Sequence, residues 1–438
     1  MLKVNLKTHR KRLLADTPGQ KLFVLLGIEA VGNLEEREKL FVSFVLDTSG
    51  SMNEEVNNKS KIEIVVESLK KIFESDIFKD GDEINIVTFD DEVNTVLPFT
   101  VAADKEKINL SLEKIKTGTV GTNLGAGMKL SLELLKDKVG IKKMVVLTDG
   151  NAFDLDVVEK VLDELVFSNI SVLSVGVGDE WNEDLLCEIS DKTLGKPLHL
   201  CDSEVDLEYS SSINISKLPY VFLNELGHAS QEVVTNLELV ITLKEGFSLE
   251  RVTKIFPVQY EIITDTQPYL MGNLESKRKN VYLLELDVPS VPVSKIDMAQ
   301  IELYYQIPNS DTKDKIGPLE VNIEFTKDQL LAVQTDQEVM DWVQQRNIER
   351  IVNQAISHAY NSPDDSEKIL ALARSLTIKL KNENLTAMLD RAIEELRIKK
   401  YIGSGTAKTL KIGTKTQLLD HSKSDLPSDD DIRRATGE

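Results

Sequence analysis

Apolar residues in the first half of the chain follow two alternating patterns. Residues 41–46 and 144–147 form apolar runs of strand length, whereas residues 61–72 carry apolar side chains at helical spacing. Such runs and helical stretches follow one another from about residue 40 to residue 212. Strands that alternate with helices are typical of βαβ units, which build a mostly parallel sheet covered on both faces. The pattern predicts a doubly wound α/β domain over residues 40–212.

A different pattern follows this domain. Short alternating runs at 237–243, 252–258, 281–288 and 301–307 are separated by Pro, Gly and Asn, with no helical spacing between them. They predict a β-sandwich over residues 213–332. An extension of the first sheet is the alternative, which the absence of helical spacing disfavours. The apolar run 21–31 precedes the α/β domain, and we expect the segment 1–39 to complete the sandwich, with the α/β domain inserted within it.

The last part of the chain becomes helical. Apolar residues at helical spacing near 339–356, 365–380 and 385–398 predict a bundle of three antiparallel helices over residues 333–400. The remaining segment, 401–438, is rich in Gly, Thr, Ser and Asp and has few apolar residues. Because such a composition buries little surface, we expect a flexible tail.

Composition and charge narrow the possible functions. The 438 residues include 52 Lys and Arg against 73 Asp and Glu, a net charge of −21, which disfavours binding to nucleic acid or to an anionic membrane. Two cysteines exclude a disulfide-rich fold and a cysteine-rich zinc site. No apolar run is long enough to span a bilayer and the N-terminus is unlike a signal peptide, so we expect a cytoplasmic protein.

Three separate segments carry candidate chemistry. Asp47, Ser49 and Ser51 follow the run 41–46, Thr122 lies in a Gly-rich loop at a predicted helix start, and Asp149 follows the run 144–147. Taken alone, each segment has the composition of an ordinary tight turn. In an open parallel sheet, however, such loops converge at the point where the strand order reverses, where ligands bind. We therefore expect the five side chains to lie together.

The donor types at this site predict a hard metal ion. Two carboxylates and three hydroxyls offer only oxygen, which suits Mg²⁺, with Mn²⁺ and Ca²⁺ as alternatives. Few of these ligands are charged, so the bound ion would still attract a further carboxylate. An Asp or Glu of a partner protein could complete the coordination shell, which would make the metal part of an adhesive contact.

These residues resemble a known family. The sequence Asp47-Thr-Ser-Gly-Ser51, the loop residue Thr122 and the Thr-Asp149-Gly turn are similar to the metal-ion-dependent adhesion site of von Willebrand factor A domains. The resemblance covers roughly residues 40–212, and all five motif positions match. It implies that Ser49, Ser51 and Thr122 approach the metal through their hydroxyls, and that Asp47 and Asp149 bind it directly or through water. It also implies one antiparallel edge strand at 93–99.

The wider layout resembles bacterial intracellular proteins that combine this domain with a β-sandwich and a helical C-terminal region. Such proteins are often associated with Ser/Thr kinases, PP2C-type phosphatases and forkhead-associated domains. The resemblance makes four tail threonines candidate phosphorylation sites: Thr406, Thr409, Thr414 and Thr416. Phosphate would add negative charge to a basic stretch and could create a docking epitope, so a phosphorylation-regulated scaffold is an alternative function. A solvated, unmodified tail is the competing interpretation.

Catalysis has no visible agent in the sequence. The chain contains no G-x-S-x-G elbow, no phosphate-binding G-x-x-x-x-G-K-[ST] loop and no H-E-x-x-H motif. A hydrolase using Ser49 or Ser51 would need a base, and no histidine occurs in the same loops. We therefore expect a non-catalytic, metal-dependent interaction protein.

Overall fold

The computed structural model describes residues 2–31, 38–56, 58–178, 181–201, 212–214, 218–229, 231–307, 310 and 312–419. Three strands come first: β1 Leu2–Thr8, β2 Arg12–Leu14 and β3 Gln20–Ala30. The chain then enters an α/β region, whose first half contains β4 Leu40–Asp47, a 3-10 turn Gly50–Asn53, β5 Glu55–Val56, β6 Lys59–Ser60, α1 Lys61–Glu74, β7 Glu83–Phe89, β8 Val93–Val101 and α2 Lys105–Leu112. Its second half contains α3 Leu124–Leu135, β9 Ile141–Thr148, α4 Leu155–Phe167, β10 Ser171–Val177, α5 Glu183–Lys192, β11 Lys196–Cys201, β12 Ser212–Asn214 and α6 Leu218–Ala229.

The α/β region is built on one seven-stranded sheet in the order β12-β11-β10-β9-β4-β7-β8. All neighbours in this sheet are parallel except β7 and β8, so the edge strand β8 is antiparallel. Strand β4 is buried along its whole length, because helices cover both faces. Helices α1, α2 and α6 pack on one face and α3, α4 and α5 on the other. The prediction of a doubly wound, mostly parallel sheet is confirmed.

The predicted boundary at residue 213 lies too early. Helix α6 follows it, and its residues Leu218, Phe222 and Leu226 pack in the same core as α1. The α/β region therefore extends to Ala229. The alternating pattern that predicted the sandwich begins only after this helix.

A β-sandwich follows α6. Its strands are β13 Glu232–Leu243, β14 Ser248–Phe256, β15 Tyr260–Ile262, β16 Tyr269–Glu275, β17 Lys279–Val288, β18 Ser294–Gln306 and β19 Lys313–Thr326. One sheet has the order β1-β3-β17-β14-β15 and the other β16-β13-β18-β19-β2. Strand β3 lies between β1 and β17, so the N-terminal strands belong to the sandwich and the α/β region is inserted between β3 and β13.

The C-terminal part of the described chain contains α7 Gln329–Ala332, α8 Gln337–His358, α9 Pro363–Lys379, α10 Glu383–Lys399 and α11 Ser404–Thr416. Helices α8, α9 and α10 share one apolar core, and Trp342 of α8 packs against the outer face of β3, β14 and β17. No described helix combines the length and the apolar character needed to cross a membrane.

Helix α11 corrects the expectation that the segment 401–438 is a flexible tail. Ile412 is fully buried in the same core of the α/β region as residues of α3, α4 and α5, while Leu410 packs with the helical bundle. Lys408 donates a 2.6 Å hydrogen bond to the carbonyl of Trp181, and Lys415 pairs with Asp191. The expectation of a flexible tail was wrong because the lysines of α11 form ion pairs with carboxylates of α5 and α8, which hold the helix in place. Residues 420–438 lie outside the described residues.

Candidate metal centre

The five predicted ligands lie at the carboxyl-terminal edge of the parallel sheet. Asp47 is the last residue of β4, and Asp149 directly follows β9, the neighbour of β4. The strand order reverses between these two strands, because β7 lies on one side of β4 and β10 lies beyond β9. Parallel strands bring their ends together at such a point, which places the two loops side by side.

Hydrogen bonds join the two loops. Ser51 Oγ donates to Asp149 Oδ1 over 2.7 Å, and Ser49 Oγ lies 3.1 Å from Ser51 Oγ. Asp47 accepts from the Ser49 amide at 2.8 Å through Oδ1 and from Thr148 Oγ1 at 2.5 Å through Oδ2. Both oxygens of Asp47 are therefore engaged, and this carboxylate lies behind the serine turn that it orients.

Thr122 enters the site from the loop before α3. Its carbonyl accepts from the Phe153 amide at 3.1 Å, which ties its loop to the segment after Asp149. A Cβ built on Gly150 would lie 3.4 Å from Thr122 Oγ1, so the hydroxyl is adjacent to the Asp149 turn. Within the described part of the chain nothing hydrogen-bonds to this buried hydroxyl. It remains available to a ligand.

The Gly-rich loop needs its glycines because an acidic turn packs against it. A Cβ on Gly118 would lie 1.9 Å from Asp90 Oδ2, and one on Gly121 would lie 1.8 Å from Asp91 Oδ1. The Asn123 amide also donates to the Asp90 carbonyl at 3.0 Å. The turn at 90–92 therefore supports the loop that carries Thr122.

Lys61 is a residue of this site that sequence reasoning missed. Its ammonium donates to Asp149 Oδ2 at 2.7 Å and to Glu54 Oε2 at 2.6 Å, and the residue is buried. Burial alone would lower the pKa of Lys61, but these two carboxylates raise it. A signal existed: Lys61 is the first residue of α1, where the helix dipole disfavours a cation unless an anion compensates it.

The buried carboxylates Asp47 and Asp149 favour the binding of a cation at this site. Burial and, to a smaller extent, the charge of Asp149 raise the pKa of Asp47 to about 6, against the opposing effect of hydrogen bonds from Ser49 and Thr148. Asp47 and Asp149 are each about 1% exposed or less. Lys61 already pairs with Asp149, so an added cation would chiefly relieve the desolvation of Asp47 and its repulsion by the charge of Asp149.

The residues present fit a hard cation. All five predicted donors offer oxygen, and Thr122 supplies a hydroxyl with no protein partner in the described chain. The described residues contain no cluster of three or more His, Cys, Asp or Glu side chains that could hold a metal. This site does not depend on such a cluster, because three of its five donors are hydroxyls.

The structure places the candidate phosphorylation sites Thr406, Thr409, Thr414 and Thr416 on the docked helix α11. Thr414 is 2% exposed, and its hydroxyl donates to the Lys411 carbonyl at 2.8 Å. Thr409 Oγ1 lies 3.5 Å from His199 Nδ1. A kinase would reach the Thr414 hydroxyl only if α11 left its position, whereas Thr406, Thr409 and Thr416 are half-buried on the docked helix. The docking of α11 therefore argues against phosphorylation of Thr414 in the folded protein.

Comparisons with known proteins agree with this geometry. The sequence profile of the von Willebrand factor type A domain matches residues 42–208. An uncharacterised protein of Synechocystis sp. is 24% identical over 302 residues, which are 66% of this chain and 67% of that protein. A von Willebrand factor type A protein from Catenulispora acidiphila has a similar fold, with a TM-score of 0.79 at 15% identity. That match covers 95% of this chain and 97% of the other.

A second solved structure, the ArnB paralog VWA2 from Sulfolobus acidocaldarius, matches with a TM-score of 0.61 at 15% identity. It covers 96% of this chain and 99% of the other, so the likeness includes the sandwich and the helical region. The profile match, the sheet order with its antiparallel edge strand and the fold neighbours all agree. Residues 42–208 of this chain are therefore a von Willebrand factor type A domain.

Proposed function

We propose that the chain is a non-catalytic protein-interaction module that works through a divalent cation. The cation would be held by Asp47, Ser49, Ser51, Thr122 and Asp149, and an acidic side chain of a partner would complete its coordination. One observation carries this proposal. Two buried carboxylates and the hydroxyls of Ser49 and Ser51 lie in one hydrogen-bonded cluster at the edge of the sheet, and the Thr122 hydroxyl lies beside the Asp149 turn, so all five side chains offer oxygen donors.

The arrangement of charge supports an acidic partner group. Three of the five proposed donors are neutral hydroxyls, and both oxygens of Asp47 already accept hydrogen bonds, so the ligand set would offset only part of the charge of the ion. An ion held mainly by neutral oxygen keeps much of its positive charge and attracts a further carboxylate. Lys61 adds another positive charge beside Asp149. This local balance differs from the chain as a whole, which carries a net charge of −21.

Mg²⁺ suits this donor set best, because it prefers oxygen ligands in octahedral geometry and retains some of its waters. Mn²⁺ and Ca²⁺ share the preference for oxygen and are the alternatives. We include a cytoplasmic location in the proposal, since the chain has only two cysteines and therefore lacks the disulfide framework of many small secreted domains.

Metal titration of the purified protein tests the first half of the proposal. Isothermal titration with MgCl₂ and MnCl₂ should show one site in the wild type, and Asp47→Ala or Thr122→Ala should weaken it by about a hundred-fold or more. Asp156→Asn is the matched control, because Asp156 is an exposed carboxylate on α4 outside the site. Equal metal affinity in Asp47→Ala and the control would contradict the proposed ligand set.

Capture of a partner tests the second half. The immobilised protein should retain a partner from lysate in the presence of Mg²⁺ and release it with EDTA, whereas Asp47→Ala should retain none. A mutation of the partner's contacting Asp or Glu to Asn or Gln should abolish capture. Retention that survives both EDTA and Asp47→Ala would overturn the adhesive role.

A further inference from the structure

A second candidate site lies at the opposite end of the parallel sheet. A cavity of about 450 Å³ separates the α/β domain from the sandwich. The starts of β9 and β10 line it on one side through Lys143 and Ser171, and Lys254 and Tyr260 line it on the sandwich side. Asp149 follows the other end of β9, so the cavity is distinct from the metal centre.

Lys254 occupies a position where the fold expects an apolar side chain. It lies on β14 two residues after Val252, a core residue, and a strand returns to the same face every second residue. Its cross-strand neighbours are Tyr260 and Tyr282, which both belong to the sandwich core. Lys254 is 7% exposed, so its charged group is enclosed between the two sheets at the end that opens into the cavity.

The ammonium of Lys254 lacks the partner that the other cations of the cavity have. Throughout the described residues, no carboxylate lies within 4.0 Å of it and no side-chain hydrogen bond satisfies it; it lies only against two rings, 5.3 Å from the Tyr260 centroid and 5.7 Å from the Tyr282 centroid. Each of the other five cationic lining residues pairs with a glutamate, as Lys143–Glu232, Lys192–Glu188, Lys196–Glu225, Arg278–Glu275 and Lys313–Glu238.

A second polar group in the cavity lining is also unsatisfied. The Tyr260 hydroxyl is buried and has no hydrogen-bond partner in the described part of the chain. Buried polar groups are normally paired, and each exception calls for an explanation such as a bound molecule. Burial lowers the pKa of Lys254 to about 8, which leaves the amine largely protonated at neutral pH. The Lys254 ammonium and the Tyr260 hydroxyl are therefore two hydrogen-bond donors without an acceptor in the described residues.

We propose that this cavity binds a small organic monocarboxylate, whose carboxylate is held by the Lys254 ammonium and the Tyr260 hydroxyl. One unpaired cation matches one negative charge. A phosphate dianion would bring a second charge toward four glutamates that also line the cavity: Glu225, Glu232, Glu238 and Glu275. The body of the ligand would lie against apolar lining residues such as Leu237 and Val258.

This site goes beyond the proposed function and stands independently of it, because none of its residues contributes to the metal centre. Its test is isothermal titration of the wild-type protein with acetate, butyrate and benzoate, with benzamide as the uncharged analogue of benzoate and inorganic phosphate as the competing anion. We expect benzoate to bind at least about ten-fold more tightly than benzamide, and more tightly than phosphate.

Lys254→Met is the decisive variant. Because it replaces a buried, unpaired ammonium with an apolar chain of similar length, it should fold with an unfolding midpoint at least equal to that of the wild type. We expect it to lose at least about ten-fold in affinity for benzoate while binding benzamide unchanged. Lys313→Met is the matched control, since Lys313 lines the same cavity but already pairs with Glu238. It should bind benzoate as the wild type does.

Three outcomes would each overturn the proposal. These are benzoate binding by Lys254→Met that equals that of the wild type, failure of all three carboxylates to bind at millimolar concentration, and preferential binding of phosphate. The last result would assign the cavity to a different class of anion. Thermal shift with each probe gives a second readout, since a ligand that binds only the folded state raises the unfolding temperature of the wild type but not that of Lys254→Met.

Discussion

The metal centre and the surfaces where the von Willebrand factor A domain meets the rest of the chain are built in different ways. The metal centre lies within one domain, and its carboxylates are held by residues of neighbouring loops and of the start of α1, as Ser51 and Lys61 hold Asp149. The interface uses single residues from distant segments. Lys143 of β9 pairs with Glu232 of β13, and Lys415 of α11 pairs with Asp191 of α5.

This difference decides what a sequence can reveal. A metal site on the loops of a parallel sheet needs several donors at fixed short spacings, and such spacings are visible along the chain. An interface needs only that two residues meet in the folded structure, and such a pair gives no recognisable pattern in the sequence around either residue. If the two regions also differ in energetics, substitutions in them should change the free energy of unfolding by different amounts.

The largest effect is expected for Lys61→Met. The substitution leaves the carboxylate of Asp149 buried without its cation, which should lower the free energy of unfolding in EDTA by about 3–5 kcal/mol. Metal should restore much of this loss, because the bound ion would take the place of the Lys61 ammonium as the cation beside Asp149. Urea unfolding with EDTA and with Mg²⁺ measures both.

Lys59→Met is the control for this prediction. Lys59 forms an exposed pair with Glu67, and both side chains are about half exposed, so its loss should change stability by less than about 1 kcal/mol. Equal stability of Lys61→Met and Lys59→Met would show that Lys61 does not compensate Asp149, and the metal centre would then need no internal cation.

A smaller loss is expected for Ile412→Ala on α11. Ile412 is fully buried in the core of the α/β domain, so its truncation should cost about 3 kcal/mol. Ile398→Ala, at a residue of α10 that is 73% exposed, should cost less than about 0.5 kcal/mol. Denaturant unfolding compares the two. Matching values would show that α11 is a loosely attached tail and contributes little to the stability of the α/β domain.

Glu275→Gln probes the interface through pH. Burial would raise the pKa of Glu275, but His228 and Arg278 overcome it and hold the pKa at about 2, below the ordinary 4.5. A carboxyl group whose pKa is lower in the folded than in the unfolded state stabilises the fold at every pH above the unfolded-state pKa. This contribution is lost as the pH falls from 4.5 toward 2.

We therefore expect Glu275→Gln to be about 2 kcal/mol less stable than the wild type at pH 7, with a gap that closes toward pH 2. Urea midpoints measured across this range follow the gap. Glu320→Gln, at an exposed position of β19, should show no such dependence. A gap that stays constant with pH would mean that the ion pairs of Glu275 contribute nothing to stability.

The smallest effect concerns Thr414. Its hydroxyl donates to a carbonyl of its own helix, so Thr414→Val should change the free energy of unfolding by less than about 1 kcal/mol. Phosphopeptide mapping of protein incubated with a Ser/Thr kinase should find no phosphate on this buried residue. Modification of Thr414 in folded protein would show that α11 leaves its site, and it would revive the phosphorylation-regulated scaffold.

Much of the α/β domain could be predicted from the chain because its signals are local. The fully buried strand β4 is an apolar run, and the turn that follows it carries Asp47, Ser49 and Ser51 at fixed spacing. The structure brings these residues together with Thr122 and Asp149, while the role of each toward a metal stays a prediction. Lys61 was not predicted, because its partner Asp149 lies 88 residues away along the chain and meets it only in the folded domain.

The rest could not be predicted for physical reasons that particular residues illustrate. Helix α11 contains few apolar side chains, and its burial depends on lysines that find carboxylates on α5 and α8. Helix α6 was not predicted because it lies between two regions whose hydrophobic patterns differ. Lys254 gave no signal, since a lysine on an alternating strand is ordinarily assigned to solvent, and only the pairing with Tyr260 and Tyr282 reveals that it faces inward.

The insertion of one domain into another has a consequence for synthesis on the ribosome. Strand β3 emerges early, but its partner β17 follows about 250 residues later. At roughly 5–20 residues per second, the nascent chain waits about 10 to 50 s with one edge of β3 unpaired while the inserted domain is translated. The inserted domain has time to fold during this interval, so we expect the inner unit to fold first and the enclosing sandwich last.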